Sequence, residues 1–138
     1  MNTTLKIYCD GGARGNPGPA AAAFIAEKDG KIVGKLSRFL GRATNNIAEY
    51  SAVILALSWL VKNNKVAGGE VEITLDSELV TKQLSGVFKI KNERLRELYY
   101  QTKNLEKKID GRITYTHVFR EKNKMADLLV NKALDENS

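Results

Sequence analysis

In 138 residues the sequence has one cysteine, one histidine, one tryptophan and two prolines. The single cysteine, Cys9, excludes an internal disulfide framework, and its place among alternating apolar residues reads as a small buried hydrophobe. One histidine and one cysteine are too few for the nitrogen and sulfur ligand sets of zinc sites. No apolar run has the length of a membrane span; the longest, around Val53–Val61, is short and amphipathic. No signal-peptide pattern opens the sequence, so a cytoplasmic location is expected. Low-complexity tracts, internal repeats and linker-like stretches are also lacking, and residues 1–138 are expected to form a single domain.

What is present is ordinary for a globular protein, with 43% hydrophobic and 28% charged residues. Lys and Arg total 22 against 16 Asp and Glu, and the net charge of +6 favours a polyanionic partner. Leu5, Ile7 and Cys9 alternate with Lys6, Tyr8 and Asp10, the pattern of a strand. Asp29-Gly30 separates the apolar segments Ala20–Glu27 and Lys31–Leu40, as a tight hairpin turn would. The period then becomes helical: Ile47, Tyr50, Ile54, Leu57 and Val61 recur on one face of a helix expected to end near Asn64. Gly68-Gly69 should turn the chain into "VEITLD". A short helix follows over Ser77–Leu84, a longer one from Asn92 to Lys108, then the strand "RITYTHVF" and the helix "NKMADLLVNKAL". The order β-β-β-α-β-α-α-β-α implies an α/β fold, with a mixed five-stranded sheet and helices packed on it.

Four carboxylates fall at element ends. Asp10 closes the first strand, and Glu49 lies in the first turn of the long helix. Asp76 joins a strand to a helix, and Asp127 opens the last helix. If the first and fourth strands are parallel neighbours, Asp10 and Asp76 end side by side at the carboxyl edge of the sheet, where open α/β sheets place ligands. Each also has a local explanation. Asp10 suits a turn, Glu49 could pair with Asn46 in a variant of the capping box, Asp76 or Asn123 could cap a helix, and Asp127 suits a helix dipole. A cluster of all four would repel itself and demand a cation. Oxygen-only ligands select Mg²⁺ or Mn²⁺.

The stretches "DGGARGNPGPAAAAF", "TNNIAEYSAVILAL", "LDSELV" and "HVFREKNKMADLLVNKAL" resemble, in order, the four sequence blocks of the ribonuclease HI family. The resemblance covers nearly the whole chain. It implies a ribonuclease H-like fold with helices on both faces of the sheet. It also implies a magnesium-dependent endonuclease cutting the RNA strand of an RNA/DNA hybrid. Asp10, Glu49, Asp76 and Asp127 would be the catalytic, metal-binding carboxylates, holding two ions roughly 3.5–4 Å apart when substrate is bound. The Gly11–Gly12 backbone would admit sugars, Asn16, Asn45 and Asn46 would offer amides to the minor groove, and Thr44 would donate to a DNA phosphate.

Two features depart from the family pattern. The segment "GVFKIKNERLRE" is compact, with Phe88 as its only aromatic and Lys89, Lys91, Arg94 and Arg96 as its charge, where longer members carry a Trp-rich basic protrusion. Lys89 and Lys91 are nevertheless expected to reach phosphates. The loop before the last helix reads "REKN", without the histidine many members place there, and Arg120 is expected to serve in its stead. His117, the one histidine, shares a strand face with Ile113 and Tyr115 and reads as packed. The chain is expected to act as a monomer. The competing functions are a related nuclease acting on duplex RNA or DNA junctions, and a hybrid-binding module without catalysis.

Overall fold

The computed structural model describes residues 4–63 and 67–138. Strands β1 (Leu5–Ala13), β2 (Gly18–Lys28) and β3 (Lys31–Ala43) are followed by helix α1 (Asn45–Asn63) and strand β4 (Ala67–Leu75). Helices α2 (Glu78–Leu84) and α3 (Glu93–Glu106), strand β5 (Asp110–His117), a 3₁₀ turn over Arg120–Lys122 and helix α4 (Lys124–Glu136) complete the chain. The expected helix end near Asn64 lies outside the described residues. Gly68 and Gly69 belong to β4, and its register with β5 shifts between Ala67 and Gly69.

The sheet order is β3-β2-β1-β4-β5, antiparallel on the β1–β2–β3 side and parallel from β1 through β4 to β5. The β2–β3 hairpin turns on Asp29 (φ 52°) and Gly30 (φ 76°), the left-handed pair that a type I′ turn requires. Alternation sorts the side chains between two layers. Leu5, Ile7 and Cys9 of β1 join Ala22, Phe24 and Ala26 of β2 under α1, with Tyr50, Val53 and Leu57 filling the space between. Ala21 and Ala23 face the other way, against Val130, Ala133 and Leu134 of α4. The run of alanines in β2 thus accepts a helix on each face.

The parallel ladder between β1 and β4 ends at Cys9 opposite Leu75, whereas β1 goes on pairing with β2 as far as Ala13 opposite Ala20. Asp10, Gly11 and Gly12 are therefore strand residues and not a turn. The two strands part where the carboxylates begin.

Candidate active site

Asp10 and Asp76 immediately follow the last paired residues of β1 and β4, so the end of the ladder sets them side by side. Glu49 reaches the same point from α1. It lies in the second turn of that helix, and its Oε1 accepts the Gly11 amide at 3.1 Å. That approach needs a glycine: a Cβ on Gly11 would stand 2.2 Å from the Ala48 carbonyl group. The glycine at this place serves the packing of the protein's own helix. The local readings of Glu49 and Asp76 fail for a related reason. Thr44 caps α1, its Oγ1 accepting from Ile47 N at 3.2 Å, and Ser77 caps α2, its Oγ accepting from Val80 N. Neither carboxylate is spent on a helix end.

Carboxylate oxygens of Asp10, Glu49 and Asp76 lie within 4.8 Å of one another, and no lysine or arginine among the described residues forms an ion pair with any of the three. Asp10 and Glu49 are buried, and Glu49 Oε2 has no hydrogen-bond partner. Burial, reinforced by the charge of Asp76, pushes Asp10 up to about 7. Burial and the Asp10 charge hold Glu49 well above the usual carboxylate range. Burial also raises Asp76, while the Asn123 amide and the Arg120 guanidinium pull it back. Crowding of like charge in a poorly solvated place costs free energy that a cation would recover.

Asp127, in the first turn of α4, stands outside this close set but lines the same cleft of about 490 Å³. Its Oδ1 is 3.5 Å from Arg120 Nη2, and Arg120 is otherwise exposed. Gly11, Gly12, Asn45 and Asn46 line the cleft too. Asn45 Oδ1 accepts from Ala13 N at 2.8 Å and Asn16 Oδ1 accepts from Asn45 N at 3.0 Å. Their carbonyl ends fasten the glycine-rich turn to α1, leaving the amino ends for a ligand. Gly12 has open room above it: a Cβ there would meet only Val130 Cγ1, at 3.9 Å.

Lys89 and Lys91 do not line the cleft. They lie on the irregular segment between α2 and α3, where Lys89 borders a separate depression with Phe88, Arg96 and Tyr100. Of the basic residues there, Arg94 pairs with Glu97 at 3.1 Å and Arg96 donates to the Ile90 carbonyl, so only the two lysines are uncommitted among the described residues. His117 is half-buried, its ring 5.9 Å from that of Phe119, and it is not part of the cleft wall. Two residues of the wall had no sequence signal. Arg14 pairs with Asp135 at 2.7 Å, a contact that the packing of α4 creates, and Asn131 donates to the Asp127 carbonyl one turn earlier in the same helix.

A family profile described as reverse transcriptase-like matches residues 8–133. Ribonuclease HI of Halobacterium salinarum is 41% identical over 133 residues, 96% of this chain and 65% of that protein. A bifunctional protein of Mycobacterium tuberculosis is 40% identical over 134 residues, and the chain spans only 35% of its length. The structure of LC11-RNase H1 in complex with an RNA/DNA hybrid superposes with a TM-score of 0.91 at 38% identity, covering 96% of this chain and 98% of that one.

Proposed function

The chain belongs to the ribonuclease H family, and from that premise we propose that it hydrolyses the RNA strand of RNA/DNA hybrids by metal-dependent endonucleolytic cleavage. The observation that carries the reading is the set of three carboxylates from β1, α1 and the β4–α2 junction, converging within 4.8 Å with no cationic side chain paired to them among the described residues. The donor set fits a hard divalent ion, Mg²⁺ or Mn²⁺: every candidate ligand is a carboxylate oxygen, and the buried Glu49 Oε2 lacks any other partner.

Asp10, Glu49 and Asp76 would hold one ion, and Asp127, with Asp10, a second. The position of Asp127 outside the close set supports that division. Bound there, the metal would activate the attacking water and neutralise charge on the phosphate and the leaving oxygen. The chain's own groups would do the rest. Gly12, open above, admits a sugar of the RNA strand. The amino ends of Asn16, Asn45 and Asn46 are available to 2′-hydroxyls and groove edges, the features by which RNA is told from DNA. Thr44 can cap its helix through Oγ1 and still donate its hydroxyl proton to a phosphate of the DNA strand. A guanidinium is no proton donor, so Arg120 would hold the scissile phosphate by charge. Lys89 and Lys91, away from the cleft, would add phosphate contacts along the duplex.

Cleavage of end-labelled RNA/DNA hybrid, duplex RNA and duplex DNA by the monomeric protein tests the proposal. The RNA strand of the hybrid should be cut with Mg²⁺ or Mn²⁺, duplex DNA should survive, and EDTA should abolish the reaction. Robust hybrid cleavage in EDTA would exclude the metal mechanism, and faster cutting of duplex RNA would reassign the substrate.

A further inference from the structure

Asn123 occupies the residue before α4, a position where asparagine ordinarily caps the helix through its side-chain oxygen. Here it makes no such bond. The side chain is turned into the protein, 2% exposed, and its Nδ2 donates to the carbonyl of Cys9 at 2.8 Å, across 114 residues of sequence. That carbonyl belongs to the peptide preceding Asp10, at the point where β1 leaves β4. An acceptor at that end fixes which way the amide faces, so the buried Oδ1 is the end without a protein partner. The Asn123 backbone is equally engaged: its N–H donates to Arg120 O at 2.9 Å, and its carbonyl accepts from Asp127 N at 3.1 Å.

We propose that Asn123 is the positioning residue of the cleft, one buried amide that fixes Asp127 relative to Asp10 and Asp76 for metal binding without contacting substrate. The proposal rests on the metal-dependent reading above. Its geometry is specific: the side chain holds the Cys9 carbonyl where β1 leaves β4, and α4 begins at the residue after Asn123. Asp76 follows the neighbouring strand, one residue beyond the Leu75–Cys9 pair. The β1–β4 ladder holds Asp76 beside Asp10, and the Asn123 side chain extends that tie to the start of α4, which carries Asp127 and its like charge. An amide is suited to the task, since it can hold a carbonyl without adding charge to a site already crowded with it.

The test compares Asn123→Ala with Leu98→Ala, a core truncation in α3 remote from the cleft that lowers stability by another route. Binding of Mn²⁺ alone is measured by calorimetry on each full chain, followed by the Mg²⁺ concentration for half-maximal hybrid cleavage. Asn123→Ala should raise both by roughly ten-fold or more, the range seen when a residue orienting a metal ligand is lost. The hybrid KM should stay near that of the parent, and Leu98→Ala should keep the parent metal affinity. If Asn123→Ala does not fold, Asn123→Ser carries the same comparison. Parent-like Mn²⁺ affinity in a folded Asn123 variant, with only the thermal midpoint lowered, would reduce Asn123 to a structural residue. A parent protein that binds no Mn²⁺ would instead overturn the metal-dependent reading itself.

Discussion

Two partly buried polar clusters use similar residues to opposite ends. Under α3, Lys103 Nζ donates to Glu106 Oε2 at 3.1 Å and to the Leu84 carbonyl at 2.8 Å. It also lies 5.4 Å from the ring centroids of both Tyr99 and Tyr115. The Tyr115 hydroxyl donates to Glu106 at 2.5 Å, and the tyrosine is held in its neutral form by burial and by the Glu106 charge. Every charge there has its counterpart. In the cleft, Asp10, Glu49 and Asp76 converge with none, and a buried oxygen is left over. The first cluster is complete within the protein; on the proposed reading, a bound cation completes the second. A satisfied cluster stabilises the fold, whereas an unsatisfied one is retained at a cost to stability.

The sharpest way to break this contrast is to remove one charge from each cluster. Asp10→Asn or Asp76→Asn should lower kcat by at least about a thousand-fold, some 4 kcal/mol of transition-state stabilisation. The metal-free midpoint of thermal unfolding should stay the same or rise, since one repelling charge is gone. Loss of stability together with activity would mean these carboxylates are structural. Because folded Asp10 keeps its proton up to about 7 and an unfolded aspartate releases it near 3.8, the folded state binds more protons between those values. Metal-free stability should therefore fall as pH rises from about 4 to about 7, by an amount on the order of a few kcal/mol for a coupled group. Asp10→Asn should flatten that slope in urea titrations.

Lys103→Ala should act in the opposite sense. Leaving Glu106 half-buried without its cation should cost about 1–3 kcal/mol of stability in urea unfolding. Cleavage per folded molecule should not change.

Arg120→Ala should reduce kcat by roughly ten-fold or more, consistent with a lost charge-assisted contact of about 1.5–3 kcal/mol. His117→Ala, outside the cleft, should cost much less. A histidine-like limb in the pH–rate profile that vanishes in His117→Ala would reverse that assignment. The smallest effect is expected for Lys89→Ala combined with Lys91→Ala. KM should rise more than kcat falls, with the salt dependence of hybrid binding reduced by about 1 per lysine. An unchanged KM at moderate salt would make this segment solvated surface only.

Much of this contrast was legible in sequence. Period-two alternation of Leu5, Ile7 and Cys9, the helical stripe from Ile47, and Asp29-Gly30 are local signals, and each element they mark is present. The convergence of Asp10 and Asp76 followed from parallel neighbouring strands. Helix caps were less legible, because Thr44 competes with Asn45 and Asn46, and Ser77 with Asp76. Adjacent residues of equal capping propensity are separated only by tertiary context. The extension of β1 through Gly11 and Gly12 was hidden for a similar reason: glycine reads as a turn unless the helix backbone it accommodates is known. Asn123, Arg14 and Asn131 gave no functional signal at all. Their parts arise from contacts across more than a hundred residues, or within a helix whose docking the sequence does not show.

The measurement closest to the central claim is the thermal midpoint at neutral pH, in EDTA and in millimolar Mn²⁺, for the parent and for Asp10→Asn. If the three converging carboxylates are short of a cation, Mn²⁺ should raise the parent midpoint clearly, and the variant's little or not at all. A parent midpoint indifferent to Mn²⁺, or an equal rise in both proteins, would contradict the account.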